Sequence, residues 1–234
     1  GGPTGVGKTE TAVTLAEIVR GVRDALIRVD CNTMKGSGFD STSAIHRLLG
    51  VPPGLVGYTR GQGGLLSRVR DLPESIVLFD EFEKADPGVS KLLLQMIDDG
   101  RVEDTDGNPL DFRRAFIIFT SNAGSVYKPD TEMTFLPARP DAFQPVIEEE
   151  RLKESLRERG IGEAFFGRMT HVFLFQGLQE EEIKEILGRK LAELEQAAEL
   201  RGLTLRWEPE VVEHLASQWQ PRYGVRHLVT ILRN

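Results

Sequence analysis

The chain has 234 residues, of which 40% are hydrophobic and 28% are charged, and its formal net charge is −7. This length and composition are typical of a folded protein with room for one large and one small domain, and they exclude an intrinsically disordered chain. The acidic balance disfavours nucleic acid as a partner, because proteins that grip phosphate backbones usually carry a basic face.

Cysteine content and the absence of long apolar runs favour a cytoplasmic location over a secreted or membrane-embedded one. Cys31 is the single cysteine, which excludes an internal disulfide and is typical of a cytoplasmic protein. No apolar run approaches the roughly 20 residues of a membrane helix, so no membrane partner is expected. The chain opens directly on a glycine-rich loop without an initiator Met. We therefore expect the strand before such a loop to be missing from this chain or to lie upstream.

The hydrophobic pattern predicts strands that alternate with helices over the first three quarters of the chain. Short apolar runs predict buried strands over 25–30, 75–81, 114–122 and 171–176. Between them we predict helices over 8–20, 87–99 and 148–159, a loop over 50–64, a hairpin turn at Asp106-Gly107, and a loop or insertion over 125–147. Such alternation implies crossover connections and a mostly parallel sheet.

After residue 178 the pattern becomes mainly helical. It predicts one long amphipathic helix over 180–201, a short strand over 203–207, and a further helix that begins at Pro209. We therefore predict a large α/β domain over 1–177 and a small helical lid domain over 178–234.

The first residues match the phosphate-binding pattern G-x-x-x-x-G-K-[ST] and run straight into the first predicted helix. Glycines allow the backbone to wrap closely around phosphate oxygens, and the helix N-terminus adds positive potential. In such a loop the lysine reaches the β- and γ-phosphates of ATP, and the following hydroxyl ligates Mg²⁺. The predicted nucleotide-binding residues are Gly2, Pro3, Thr4, Gly5, Val6, Gly7, Lys8, Thr9 and the adjacent Glu10.

Two carboxylates follow the second apolar run, in the order Asp80-Glu81. The carboxyl ends of parallel strands meet at the edge of the sheet where ligands bind. There Asp80 is placed to hold Mg²⁺ together with Thr9, and Glu81 is placed to polarise the attacking water. Many strands end in carboxylates, so the assignment depends on the phosphate loop that precedes it.

Three further residues are candidates for catalysis. Asn122 ends the next apolar strand, so it should lie beside the phosphates and orient the water, although a cap or turn role is the local alternative. Arg168 and Arg226 are candidates for sensing the γ-phosphate, because an arginine stabilises the charge that develops as this group leaves. For both arginines, simple surface solvation stays open as the alternative.

The ordered set of motifs resembles the Clp family of AAA+ protein unfoldases and disaggregases, in particular their second, C-terminal ATPase domain. The likeness spans nearly the whole chain and is carried by GPTGVGKTE, LFDEFEKADP, LLLQMIDDGRVEDTDGNPLDFRRAFIIFTSNAGS, EAFFGRMTHVFLF and YGVRHL. It implies a five-stranded parallel αβα sandwich of order 5-1-4-3-2. It also implies a ring, usually a homo-hexamer, that hydrolyses ATP to thread protein clients through a central pore.

The resemblance also assigns roles to individual residues. Arg168 matches the arginine finger that enters a neighbouring subunit's site, and Arg226 matches the sensor on the lid. The residues that match the pore loop are Gly54, Leu55, Val56, Gly57 and Tyr58.

Two departures from the family pattern stand out. The pore loop usually reads G-Y-V-G, whereas Leu55 here replaces the gripping tyrosine and offers less contact area. Family members that feed the ClpP-type peptidase carry I-G-[LF] between the sensor asparagine and the finger, but this interval holds only Ile161-Gly162-Glu163. Docking of such a peptidase is therefore unsupported.

Two other function classes stay open from the sequence. One is an AAA+ motor that acts on nucleic acid, of the clamp-loader or helicase type, which a basic pore would favour. The other is an ATP-binding scaffold without turnover, which the presence of Glu81, Asn122 and Arg168 argues against.

Overall fold

The structure is a computed structural model, and it describes residues 1–21, 25–34, 41–129, 143–146, 148–220, 224, 225, 228 and 232. The chain forms two compact units. Unit 1 comprises Gly1, Lys8–Gly124 and Glu149–Phe173. Unit 2 comprises Gly2–Gly7, Ser125–Glu148 and Leu174–Asn234. The domain boundary at 177/178 stays a prediction.

Helices and strands alternate through the first half of the chain. In order they are α1 Lys8–Arg20, β1 Leu26–Asp30, α2 Ser41–Leu49, β2 Ile76–Asp80, α3 Pro87–Asp99, β3 Arg101–Glu103, β4 Pro109–Asp111 and β5 Phe116–Phe119. The second half contains β6 Val126–Pro129, β7 Phe143–Val146, α4 Glu149–Arg157, α5 Glu163–Phe166, α6 Glu180–Glu199 and α7 Pro209–Ser217.

The centre of unit 1 is a parallel sheet of order β1-β2-β5. Asp30 pairs with Asp80 in the register of β1 and β2, and Phe79 pairs with Phe119 in that of β2 and β5. All five residues of β2 are buried, as expected for a parallel strand covered on both faces. These three strands match the 4-3-2 part of the predicted order.

The local signals that delimit α3 are visible in the structure. The Asp86 side chain accepts a hydrogen bond of 2.7 Å from the Gly88 N–H, and Pro87 occupies the first helical position. Gly100 ends the helix in the left-handed conformation. The predicted helix over 87–99 is confirmed to the residue.

Four phenylalanine rings form the aromatic centre of unit 1. Phe119 lies at the middle, with ring centroids 5.3 Å from Phe79, 4.9 Å from Phe82 and 4.9 Å from Phe165. This cluster packs β2 and β5 against α5.

In unit 2, α6 and α7 pack against each other as the predicted amphipathic helices. Their shared core consists of Ile183, Leu187, Ala216 and Leu228. The predicted helix over 180–201 is confirmed over Glu180–Glu199. Among the helices of the described residues, none is long and apolar enough to span a membrane.

Two predicted strands are wrong. Residues 171–176 and 203–207 are all described, and neither range forms a strand. Apolar alternation cannot by itself supply the hydrogen-bonded neighbour that a strand requires. Phe173 is accordingly 70% exposed and Leu203 is 63% exposed.

Four of the elements named above were not predicted: α2, β6, β7 and α5. The loop or insertion predicted over 125–147 contains an antiparallel pair, with Val126 opposite Val146 in β6 and β7. In α2, the buried Ala44 and Leu48 have the i,i+4 spacing of a helix face. That spacing could have identified α2 from the sequence.

Candidate active site

The carboxyl ends of β1, β2 and β5 bring polar side chains from distant parts of the chain to one edge of the sheet. Asp80 and Glu81 come from the end of β2, Thr120 and Asn122 follow β5, and Asn32 follows β1. Because the strands are parallel, these ends meet at the same edge. We call these five residues, together with Lys8 and Thr9 at the start of α1, the edge cluster.

Asp80 is the most enclosed carboxylate of the edge cluster, with 5% of its surface exposed. Thr120 and Thr9 donate hydroxyl hydrogen bonds of 2.5 and 3.0 Å to its Oδ1, and the Arg28 guanidinium lies 2.5 Å from its Oδ2. Burial raises the pKa of Asp80, but the bonds from Thr120, Arg28 and Thr9 together outweigh it, so the net pKa lies below the usual value. Asp80 is therefore ionised at neutral pH.

Glu81 has a backbone conformation that non-glycine residues rarely adopt. Its φ and ψ are 56° and 49°, in the left-handed region. The Glu81 N–H donates to Thr120 Oγ1 at 3.0 Å, and the Phe82 N–H donates to the Thr120 carbonyl at 2.9 Å. These bonds hold the turn that directs the Glu81 side chain away from the strand and into the edge cluster. Such strain occurs mainly at functional sites.

The Glu81 carboxylate is held from three sides. Asn122 Nδ2 donates to Oε1 at 3.3 Å, while Asn32 Nδ2 donates to Oε2 and Lys84 Nζ lies 2.5 Å from the same oxygen. A carboxylate with this many donors keeps a fixed orientation, which a group that polarises a water molecule requires.

Asn122 joins the carboxylates to the phosphate-loop lysine. Lys8 Nζ donates to Asn122 Oδ1 at 2.8 Å, and the amide of the same side chain reaches Glu81. The Asn122 N–H donates to Glu83 Oε1 at 3.1 Å, which anchors the backbone. The local alternative, in which Asn122 only caps a turn, does not account for these side-chain contacts.

The loop Gly2–Gly7, which precedes α1 in sequence, lies within unit 2. Gly2, Gly5 and Gly7 all have positive φ, which allows the tight wrap of a phosphate loop. At Gly2, an added Cβ would lie 2.5 Å from the Phe175 carbonyl oxygen, so only glycine fits. Of the other predicted nucleotide-binding residues, Pro3 is buried, Thr4 and Val6 are half-buried, and Glu10 is exposed in α1.

Arg226 lies outside the described residues, but its neighbour Val225 is described. The Val225 N–H donates to the Gly5 carbonyl at 3.0 Å, within unit 2. This bond brings the chain beside Arg226 to the backbone of the phosphate loop.

Arg168 binds Asp98 at the end of α3 and is not among the contacts of the edge cluster. Its guanidinium makes a two-point contact with that carboxylate, with Nη2 2.8 Å from Oδ2. The bond from Arg168 holds the pKa of Asp98 below its usual value. In its own chain, the Arg168 guanidinium therefore lies against the C-terminal end of α3.

The loop over 54–58 projects apolar side chains into solvent. Leu55 is 52% exposed and Val56 is fully exposed, while Gly54 and Gly57 on either side have φ of 90° and 92°. The Tyr58 hydroxyl donates to Asp106 at 2.8 Å. Leu55 is therefore no part of the core.

Sequence reasoning missed four residues that contact the edge carboxylates, namely Arg28, Asn32, Lys84 and Thr120. Arg28 is a charged residue in the middle of the apolar run LIRVD, and Asn32 follows the end of that run. Both residues stand out in the sequence, but their contacts with Asp80 and Glu81 arise only because β1 lies beside β2. Lys84 gives no comparable signal, because exposed lysines are common.

This arrangement has the groups required to bind and hydrolyse a phosphate anhydride. It contains carboxylate and hydroxyl oxygens suited to Mg²⁺, an ammonium suited to phosphate, and an oriented carboxylate suited to a water molecule.

Comparison with known protein families agrees with this geometry. Residues 1–172 match the family described as "AAA domain (Cdc48 subfamily)", and residues 178–234 match the "C-terminal, D2-small domain, of ClpB protein".

Individual relatives extend over nearly the whole chain. It is 38% identical over 233 residues to chaperone protein ClpB 1 of Synechococcus elongatus, covering 99% of this chain and 25% of that protein. It is 37% identical over 234 residues to the ATP-dependent Clp protease ATP-binding subunit ClpC of Staphylococcus aureus, covering 99% and 28%. The chain thus spans about a quarter of the length of these relatives.

A solved structure confirms the fold class. The chain superposes with a TM-score of 0.78 and 28% identity on the closed state of Hsp104 with ATPγS and FITC casein, covering all of this chain and 38% of that one. The resemblance to the second ATPase domain of Clp proteins is confirmed by the ClpB D2-small match. The chain belongs to the AAA domain family, with a C-terminal segment of the ClpB D2-small type.

Proposed function

We propose that this chain is the ATP-hydrolysing module of a ring-forming machine that unfolds or remodels proteins. The edge cluster carries the proposal, because it combines the lysine, the metal-binding oxygens and the oriented carboxylate of a phosphate-loop ATPase. The module consists of a nucleotide-binding domain over 1–177 and a lid over 178–234.

Residues at the start of α1 and at the end of β2 are suited to bind Mg²⁺·ATP. Thr9 Oγ1 and Asp80 Oδ1 lie 3.0 Å apart and offer the hard oxygen ligands that Mg²⁺ prefers. An ion held there contributes neutralisation of charge on the phosphate oxygens. The N-terminus of α1 would attract the phosphates, and Lys8 would add its point charge. Gly7 has a φ of 95°, and a Cβ there would meet no protein atom within 4 Å, so the space beside it is open to a ligand.

Glu81 and Asn122 act on the attacking water. The Glu81 carboxylate polarises the water and accepts its proton, while Asn122 holds this carboxylate and Lys8 in one chain of hydrogen bonds. Asn32 and Lys84 keep the carboxylate in place between turnovers.

Arg168 and Arg226 complete the site from outside the edge cluster. Arg168 serves as a finger in the ATP site of a neighbouring copy, as its match to the family's arginine finger implies, and it is exposed at the surface of its own chain. Arg226 senses nucleotide from the lid, as its match to the family's lid sensor implies. A finger that acts in trans requires a neighbouring copy. A head-to-tail interface that closes on itself gives a ring, for which we propose a homo-hexamer.

The clients of this machine are proteins, and the loop over 54–58 contacts the polypeptide chain as it passes. The exposed Leu55 and Val56 offer apolar surface to a passing chain. The superposable Hsp104 structure was obtained with casein, which is a protein. We propose a cytoplasmic location. Docking of a peptidase stays unsupported, since Ile161 of the Ile161-Gly162-Glu163 segment is buried.

The test compares Lys8→Ala with Glu81→Gln in the intact protein. Lys8→Ala should weaken ATP binding about 10- to 100-fold, since a charge-assisted contact with phosphate is lost. Glu81→Gln should keep ATP binding and lower turnover about 10²- to 10⁴-fold. Calorimetry measures the binding, and phosphate release measures the turnover.

Two exposed residues serve as matched controls, with Lys91→Ala for the lysine and Glu103→Gln for the carboxylate. Both should bind and hydrolyse ATP as the parent does. Equal ATP affinity in Lys8→Ala and the parent would sink the assignment of the phosphate site. Undiminished turnover in Glu81→Gln would remove Glu81 from the mechanism. A parent that binds ATP but does not hydrolyse it would favour the ATP-binding scaffold.

A further inference from the structure

The turn between β3 and β4 contacts the chain immediately before the exposed loop. The Thr105 N–H donates to the Leu49 carbonyl at 3.3 Å, and its hydroxyl donates to the Val51 carbonyl at 3.2 Å. Gly50 between them leaves room for this approach, because an added Cβ would lie 2.7 Å from Thr105 Oγ1. The first flank of the loop is therefore fixed to the hairpin turn.

The next residue of the same turn holds the other flank. Asp106 Oδ1 accepts the Tyr58 hydroxyl at 2.8 Å, and Oδ2 accepts the Gly61 N–H at 2.9 Å. The bonds from Gly61 and Tyr58 lower the pKa of Asp106, so the carboxylate is ionised at neutral pH and both bonds are charge-assisted.

The turn is itself rigid, because a buried carboxylate organises it. Asp104 is 5% exposed, and its Oδ1 accepts the N–H groups of Asp106 at 3.0 Å and Asn108 at 2.8 Å. Arg70 Nη1 lies 3.2 Å from Asp104 Oδ2 and neutralises it. A turn held in this way can support a flexible segment.

Between the two flanks the loop has little support of its own. Among the described residues, its backbone N–H groups bond within two tight turns, from the Leu55 N–H to the Pro52 carbonyl and from the Tyr58 N–H to the Leu55 carbonyl. Gly54 and Gly57 adopt positive φ, and the side chains between them face solvent. The position of Leu55 therefore depends on where the flanks are held.

We infer that the β3–β4 hairpin braces the client-contacting loop from both flanks, with Asp106 as a positioning residue and Tyr58 as the strut between them. The inference rests on the proposed function of the loop. It assigns Tyr58 a different task from Leu55, because the half-buried tyrosine ring ends in a hydroxyl that is already bound, whereas Leu55 presents its side chain to solvent.

The experiment removes one oxygen atom from the intact protein with Tyr58→Phe. This variant should unfold a stable client about threefold to tenfold more slowly per ATP hydrolysed, since a hydrogen bond to a carboxylate is lost. ATP turnover is measured on the same preparation, so that a loss of loop position is separated from a loss of ATP hydrolysis. Amide hydrogen exchange over 54–58 should become faster.

Thr59→Val is the matched control, because it replaces a hydroxyl at the next, exposed position. It should behave as the parent does in both assays. The double variant Tyr58→Phe/Asp106→Ala should be no slower than Asp106→Ala alone, since the two residues share one bond. Additive losses would overturn the pairing of these residues.

Leu55→Ala separates this inference from the proposed function. If Leu55→Ala slows client unfolding while Tyr58→Phe matches the parent in unfolding and in amide exchange, the brace is wrong and the loop remains the client contact. If neither variant slows unfolding, the loop does not contact the client, and the brace falls with it.

Discussion

The edge cluster and the loop over 54–58 lie in the same unit but are held in opposite ways. In the edge cluster each carboxylate has several bonded partners, and Asp80 alone contacts Thr9, Arg28 and Thr120. In the loop the exposed side chains face solvent, and support comes from the flanks. Chemistry on a phosphate requires fixed geometry before the ligand arrives, whereas contact with changing polypeptide sequences requires a surface that can adapt.

This difference predicts two separable classes of variant. Substitutions in the edge cluster should change binding or turnover of ATP, and substitutions in the loop should change client handling at constant basal turnover. Three further experiments probe how completely the two regions separate.

The largest expected effect is that of Arg168→Ala, which tests whether the edge cluster suffices for turnover within one chain. ATP affinity should stay within about twofold, while turnover should fall at least about tenfold, because the charge on the departing phosphate loses a cation. Mixing this variant with Glu81→Gln should restore part of the activity, since some interfaces then contain both intact groups. Phosphate release across mixing ratios measures the effect.

Arg159→Ala is the control. It removes an exposed arginine from the connection between α4 and α5, and it should leave turnover unchanged. Failure to recover activity at every mixing ratio would mean that Arg168 does not act in trans.

A smaller effect is expected for Leu55→Ala, which should slow client unfolding several-fold and leave the melting temperature nearly unchanged. Leu55→Tyr should speed unfolding, because an aromatic ring adds contact area. The comparison variant is Leu66→Ala, a fully buried leucine. It should cost about 2–5 kcal/mol in the free energy of unfolding. A loss of stability of that size in Leu55→Ala would show that the leucine packs within its own domain.

The smallest effect concerns the acid dependence of the brace. Because the folded state lowers the pKa of Asp106 below its usual 3.8, its contribution to stability is complete above that pH and is lost as the pH falls through the folded-state pKa. Asp106→Asn should therefore lower the melting temperature by a degree or two at pH 7 and progressively less below about pH 4.

Asp71→Asn removes an exposed carboxylate outside the hairpin and the loop, and it controls for the change in net charge. A melting-temperature deficit of Asp106→Asn that persists unchanged at pH 2 would mean that the carboxylate charge is not what stabilises the turn.

The parts of the structure that could be predicted are those with local signals. The helix α3 carries a cap, a proline and a terminal glycine within its own residues, and β2 is apolar throughout. Lys8, Thr9, Asp80 and Glu81 were identified for the same reason, since a phosphate loop and a strand that ends in two carboxylates are both contiguous motifs.

The rest depended on contacts between distant segments. Arg28 and Asn32 matter only because β1 lies beside β2, and Tyr58 matters only because the hairpin turn reaches the loop. The strand predicted over 171–176 is wrong. Its apolar pattern is that of a strand, but no described strand pairs with it.

The left-handed backbone at Glu81 has a consequence for anyone who redesigns this domain for thermal tolerance. Glycine adopts φ of +56° without steric cost, so a design method that scores backbone conformation alone would replace Glu81 with glycine. That product would lack the carboxylate that faces Asn32 and Asn122. Position 81 therefore has to be exempt from stability-based design, and a homologue with glycine there is expected to bind ATP without turning it over.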